Sequence, residues 1–275
     1  MTVAPVSAAL AQLVTATQAT LARIAADFTP AVFASSLAAE DMVLTDLILK
    51  AKLSIGIFTL ETGRLHAETV GMLETIRQTY GYAVVPFRPD PVEVEAYVAT
   101  NGLNAFYDSV EMRKECCRIR KVEPLKRALA GNRAWITGQR RAQSTTRAGL
   151  DVQEQDAAHD MVKFNPLADW SETDVWDYIR ANEVPYNPLH DRGYPSIGCE
   201  PCTRAIQPGE DVRAGRWWWE NPDSKECGLH VVDGKLIRIK SASVSGALPA
   251  PLTVTPPDPV VDGAPGRPGI NPLSN

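Results

Sequence analysis

Three short apolar runs, Ala31 to Ser35, Leu53 to Leu60 and Tyr82 to Phe87, alternate with two stretches of helical periodicity, Asp41 to Lys52 and His66 to Tyr80. This succession of strand, helix, strand, helix, strand constrains the fold more than any other feature of the chain. A crossover long enough to hold a helix brings the chain back to the end of the sheet where it started, so successive strands run parallel. The expected fold is therefore α/β, a mostly parallel sheet with helices on both faces. Ligands are expected beyond the carboxyl ends of its strands. Residues 7 to 24 are alanine-rich with leucines at helical spacing and predict an opening helix, while Ala134 to Thr137 and Met161 to Phe164 predict further strands. Pro89 and Pro91 are read as ending the third strand, and Ser171 as the cap of an amphipathic helix reaching about Ala181.

The 275 residues, 44% of them hydrophobic, can bury one large core or a core with a smaller appended unit. We expect a single domain over residues 1 to 240. From Tyr186 the pattern breaks into a proline- and glycine-punctuated region, expected to be loop-dominated and held by a metal, with its metal-bearing part at about 186 to 216. Asp233-Gly234 predicts a hairpin turn within Val231 to Ile237. Beyond Ser241 the composition falls to proline, glycine, serine and valine, so residues 241 to 275 are expected to be a disordered tail. No apolar run approaches the roughly 20 residues of a membrane helix. The net charge of -5 and pI near 5.5 speak against a nucleic-acid partner. The sign inverts locally, where Arg113, Lys114, Arg118, Arg120 and Lys121 precede Arg133, Arg140, Arg141 and Arg147. Basic residues gathered in an acidic chain point to a small anionic substrate, against the alternative of scattered solvated arginines.

The five cysteines divide into an adjacent pair, Cys116-Cys117, a Cys-x-x-Cys pair, Cys199 and Cys202, and Cys227 within Lys225-Glu226-Cys227-Gly228-Leu229-His230. No charged segment with an apolar core and small-residue cleavage site opens the chain, so a reduced cytoplasmic protein is expected rather than a disulfide-bonded one. Zinc sites space their thiolates two to four residues apart, which adjacent cysteines match poorly. A cubane offers separate iron corners, so neighbouring thiolates can each take one. Spacing favours a [4Fe-4S] cluster, with zinc and a chance arrangement as alternatives.

Three segments carry a resemblance: Lys114-Glu115-Cys116-Cys117-Arg118-Ile119-Arg120-Lys121-Val122-Glu123-Pro124-Leu125, Gly198-Cys199-Glu200-Pro201-Cys202-Thr203-Arg204, and the motif around Cys227. Together they resemble the assimilatory adenylyl-sulfate (APS) reductases, the iron-sulfur branch of the thioredoxin-dependent APS/PAPS reductase family. The resemblance runs from about Ala31 to His230 and implies a [4Fe-4S] cluster on Cys116, Cys117, Cys199 and Cys202. It also implies a fold like that of the nucleotide-binding pyrophosphatase-loop enzymes. Ser35-Ser36-Leu37-Ala38-Ala39-Glu40-Asp41 falls where that loop lies, although it lacks glycine, and a helix-capping role for the two serines is the alternative. Thr62-Gly63-Arg64-Leu65-His66 and Gly138-Gln139-Arg140-Arg141 resemble family elements at the same sheet edge.

The substrate-contact residues so implied are Ser35, Ser36, Leu60, Gly63, Arg64, Lys121, Gly138, Arg140, Arg147, Arg213 and Arg216. Lys121, Arg147, Arg213 and Arg216 would grip the phosphosulfate, because a thiolate attacking an anionic group needs cations on its oxygens. Cys227 is the implied nucleophile, with His230 bonding the sulfate or easing ionisation of the thiol. The implied reaction gives AMP and a cysteine S-sulfonate, from which a dithiol such as thioredoxin releases sulfite. The segment from about 220 to 230 is expected to move between these two tasks. The rival readings are a PAPS reductase and a non-catalytic nucleotide or metal sensor. A homo-oligomer is expected. His66, His159 and His190 are read as hydrogen-bonding or surface residues, and Trp217-Trp218-Trp219 as packing rather than a docking surface.

Overall fold

The computed structural model describes residues 7–144 and 147–221. Its centre is a six-stranded sheet in the order β3-β2-β1-β4-β6-β5, formed by β1 (Ala31–Ala34), β2 (Ile55–Leu60), β3 (Val85–Phe87), β4 (Ala134–Ile136), β5 (Gln153–Asp156) and β6 (Met161–Phe164). All neighbours are parallel except β5, which pairs antiparallel with β6. The expected α/β fold with a mostly parallel sheet is present. The helices are α1 (Ala8–Asp27), α2 (Ala39–Lys50), α3 (Ala67–Tyr80), α4 (Pro91–Asn101), α5 (Val110–Cys117), α6 (Glu123–Leu129) and α7 (Glu172–Ala181).

Apolar side chains on the inner strands exclude water from the sheet. Phe33, Ile136 and Phe164 are fully buried and join Ile57 with residues of α1, α2, α3 and α7 in the main core. Asp46 of α2 is buried there and accepts from the hydroxyls of Tyr80 at 2.8 Å and Tyr178 at 2.7 Å. A single carboxylate thereby ties α2 to the C-terminal end of α3 and to α7. A second core group packs α6 through Leu125 and Leu129 against Phe58 and Trp135. Ser171 caps α7 as expected, and Asp174 completes a capping box with it.

The differences from the sequence reading have local causes. β3 begins at Val85, not Tyr82, because the Tyr82 hydroxyl accepts the Ile57 N–H at 2.9 Å and pairing with β2 starts only at Phe58 and Val85. Pro91 opens α4 at its first position behind the Asp90 cap, so it starts a helix as well as following a strand. β5 (Gln-Glu-Gln-Asp) is an edge strand with no apolar alternation, fixed across the ladder by Lys163 Nζ on Glu154 Oε2 at 3.1 Å.

A candidate active site at the strand ends

The sheet reverses its direction of growth at β1, which lies between β2 and β4. The loops leaving β1 and β4 therefore diverge, and the crevice between them is the expected ligand position. A cavity of about 260 Å³ occupies it, lined by Ser35, Ser36, Leu60, Lys121, Gly138, Arg147, Arg213 and Arg216 among others. Eight of the eleven expected substrate-contact residues thus line one cavity.

The loop after β1 achieves without glycine a turn that glycine usually supplies. Leu37 takes φ +64 and is fully buried, so the main core holds a leucine in the left-handed region. Its N–H donates to Ser35 Oγ at 3.2 Å, and both the N–H and the hydroxyl of Ser36 donate to Asp41 Oδ2 at 2.5 Å. Neither serine caps α2, whose N-cap is Ala38 with no side-chain bond. Asp41 also accepts from the Gly138 N–H, joining the β1 and β4 loops. Burial raises its carboxyl to about 6, with the Ser36 bonds opposing the rise. A Cβ on Gly138 would collide with Asp41 Oδ1, so the contact requires a glycine. Asp41 was not among the expected site residues; its signal was a carboxylate in the first turn of a helix that starts at a strand end. His190 belongs here too, since its Nε2 accepts the Ala39 N–H at 3.1 Å.

Three expected contacts lie elsewhere. Arg140 is buried against Glu40, with Nε and Nη2 at 3.0 and 2.8 Å from Oε1. Arg64 bonds Leu103 O and Asn104 Oδ1 and stacks on Phe106. Gly63, at φ +70, turns the chain beside the Arg120 guanidinium, which bonds Thr62 O at 2.7 Å. Cys227 and His230 lie outside the described residues.

The thiols adjoin this cavity. Cys116 and Cys117 end α5, where adjacent side chains diverge by about 100°. A π turn, Arg118–Val122, follows, in which the Glu123 N–H bonds Arg118 O. Pro124 has no N–H to return to Arg120 O and its ring crowds that carbonyl, a physical reason for the widened turn. Lys121 is carried on that turn. Cys199 precedes and Cys202 ends a short 3-10 turn, Glu200–Cys202, pinned by Glu200 N–H to Arg64 O at 2.7 Å and Trp217 N–H to Cys202 O at 3.1 Å. Thr62 Oγ1 lies 3.2 Å from Cys199 Sγ.

Burial pushes the Cys202 thiol up to about 12, with Cys199, Cys117 and Cys116 adding to the rise and Lys121 opposing it. Cys116 is also raised by burial, against which Arg120 and Lys121 act. All four thiols therefore share one electrostatic neighbourhood. Among the described residues no three His, Cys, Asp or Glu side chains are arranged to hold a single metal ion. The buried indole N–H groups of Trp217 and Trp219 find no acceptor among the described residues; Trp217 clusters with Phe106, Cys199 and Cys202, and Cys116 and Trp219 pack against that group. Four soft ligands on diverging side chains, with stranded N–H donors beside them, fit a sulfide-containing cluster.

A family model, the phosphoadenosine phosphosulfate reductase domain, matches residues 30–205. The chain belongs to this family. Similar curated proteins are the adenosine 5'-phosphosulfate reductases of Burkholderia cepacia, 63% identical over 222 residues, and of Allochromatium vinosum, 59% over 210 residues. The alignments cover 81% of this chain and 89% of the first relative, and 76% and 82% for the second. Among solved structures, the PAPS reductase of Candida auris in a phosphate complex superposes with a TM-score of 0.60 at 25% identity, covering 74% of this chain and 98% of that one. An FMN adenylyltransferase of Candida glabrata shares the fold, with a TM-score of 0.51 at 14% identity over 82% of this chain and 80% of its own. The matched residues 30–205 include the loops after β1 and β4 that line the strand-end cavity.

Proposed function

We propose that this chain reduces adenylyl sulfate to sulfite and AMP in sulfate assimilation. The observation that carries the reading is the position of Lys121, which lines the strand-end cavity and acts electrostatically on Cys116 and Cys202. It is supported by the naming of relatives at 63% and 59% identity as adenosine 5'-phosphosulfate reductases. Lys121, Arg147, Arg213 and Arg216 neutralise the phosphosulfate, and the Ser35–Ser36 loop, Leu60 and Gly138 contribute the remaining contacts to the substrate nucleotide. The Cys227 thiolate attacks the sulfur of APS, forming an S–S bond as the S–O bond to AMP breaks. A dithiol, reduced thioredoxin, then attacks the S-sulfonate. Sulfite leaves with the electron pair, Cys227 is regenerated and the donor becomes a disulfide. His230 assists at the thiol or the sulfate.

Cys116, Cys117, Cys199 and Cys202 would hold a [4Fe-4S] cluster, whose contribution is a fixed charge beside Lys121 rather than electrons, since the dithiol supplies both. A cytoplasmic, homo-oligomeric enzyme is the setting we assign. The described residues contain no helix long and apolar enough to cross a membrane.

The test compares APS and PAPS turnover by anaerobically purified protein with reduced thioredoxin. APS should be preferred, and mixing with APS alone should leave a sulfonate on Cys227, detected by mass spectrometry. Cys227→Ser should bind APS and form no sulfite. Preferred turnover of PAPS, or sulfonate on another cysteine, would refute the assignment.

A further inference from the structure

Gln139 follows Gly138 in the loop after β4 and lines the strand-end cavity, yet only 7% of it is exposed. Its backbone is held on both sides. Its own N–H donates to Thr137 Oγ1 at 3.4 Å, and the next residue, Arg140, is clamped to Glu40. The side chain meets Lys163 of β6, whose Nζ donates to Oε1 at 3.2 Å. Lys163 is itself 7% exposed, and its ammonium also donates to Glu154 Oε2 at 3.1 Å.

The two ends of a primary amide are alike in shape and opposite in chemistry, since the oxygen only accepts and the nitrogen only donates. An ammonium has donors alone, so the amide atom that meets Lys163 is the oxygen. Burial pulls the Lys163 pKa down, and Glu154 opposes that pull by its charge and its hydrogen bond, which supports the ammonium form. Gln139 Nε2 is thereby turned away from Lys163. It has no hydrogen-bond partner among the described residues, and it belongs to the cavity wall. Arg147 lines the same cavity and stands close enough to Lys163 to add to the fall in its pKa. The amide donor therefore lies at the Arg147 end of the cavity, where the phosphosulfate is placed.

We propose that Gln139 Nε2 donates a hydrogen bond to an anionic oxygen of the phosphosulfate and that Lys163 is the positioning residue that turns this donor toward the cavity. An amide carries no net charge, so it adds a directed donor among Lys121, Arg147, Arg213 and Arg216 without adding to their mutual repulsion. Lys163 polarises the amide through Oε1 and strengthens the donor at its other end, while its own charge stays paired with Glu154. The inference rests on the reading of the cavity as the APS site.

The experiment uses anaerobically purified holoenzyme carrying Cys227→Ser, so that bound APS is not consumed, and titrates it with APS and with adenosine in a calorimeter. Adding Gln139→Leu should weaken APS binding about tenfold while adenosine affinity stays within about twofold. Lys163→Met frees the amide to turn and should weaken APS binding about threefold or more, again sparing adenosine. Combined with Gln139→Leu it should cause no further loss, because the contact it orients is already gone. APS affinity unchanged by Gln139→Leu, or an equal loss for adenosine, would overturn the contact. Additive losses in the combined variant would overturn the positioning role. If Lys163→Met does not fold, Lys163→Gln, whose amide can meet Gln139 in either orientation, takes its place with the same expected pattern. Failure of the Cys227→Ser protein itself to bind APS would remove the substrate reading and this inference with it, an outcome separable from normal binding with an indifferent Gln139→Leu.

Discussion

Asp41 and Gly138 show how closely two residues can depend on each other. The Gly138 N–H reaches Asp41 only because no Cβ intervenes. Gly138→Ala should therefore push the β4 loop off the β1 loop and reduce APS affinity by about tenfold or more, with far-UV circular dichroism unchanged. Asp41 also makes a pH-dependent contribution. Its carboxyl is raised from 3.8 to about 6 in the folded chain, so the native state binds its proton more tightly than the unfolded state does. Stability from this group is present below the unfolded value and is lost as pH rises through about 6. The gap, at about 1.4 kcal/mol per pH unit, is on the order of 3 kcal/mol. Urea unfolding of wild type and Asp41→Ala between pH 5 and 7 should show wild type losing stability relative to the variant as pH increases. A difference independent of pH would place the Asp41 carboxyl outside this window.

At the scale of elements, α2, α3 and α7 meet on Asp46, while the site loops leave the opposite end of the sheet. Stability and binding should separate accordingly. Tyr178→Phe removes one hydrogen bond to a buried carboxylate and should cost about 1.5–3 kcal/mol in denaturant unfolding with no change in KM for APS. A rise in KM would mean that α2 transmits strain to the Ser35–Ser36 loop at its N-terminus. The π turn between α5 and α6 is the element least legible in the sequence. Its residues, Arg-Ile-Arg-Lys-Val, have no apolar periodicity, yet it decides that Lys121 faces the cavity while Cys116 and Cys117 face the second cysteine pair. Neighbouring tryptophans differ in environment: Trp217 is buried with the guanidinium carbons of Arg113 and Arg216 at 4.7 and 4.8 Å from its ring centroid, while Trp218 is 49% exposed.

For the whole molecule, the described residues carry the sheet, the cavity and all four cysteines of the two pairs, while Cys227 and the proline-rich segment beyond Ser241 lie outside them. We expect residues 1 to 240 to act as a single domain. Eight prolines follow Ser241, at 249, 251, 256, 257, 259, 265, 268 and 272, a composition from which we expect no part in catalysis. Truncation after Ser241 should leave turnover and its dependence on thioredoxin concentration unchanged. A large fall in turnover would assign the tail a docking or assembly role.

The local chemistry was readable in the chain because it depends on residue type and spacing. Parallel strands follow from crossover length, the α7 cap from Ser171 and Asp174, and the soft-ligand set from cysteines at 116, 117, 199 and 202. Contacts between distant segments were not readable, because no local pattern encodes them. Arg64 and Arg140 carry the same charge as Arg213 and Arg216, yet carbonyls and Glu40 hold the first two while the last two line the cavity. Asp41 and His190 acquire their roles from partners that folding brings alongside, Gly138 for Asp41 and Ala39 for His190, 151 residues back. Side-chain type sets what a residue can do in water; burial and the neighbour that folding supplies decide which of those things it does.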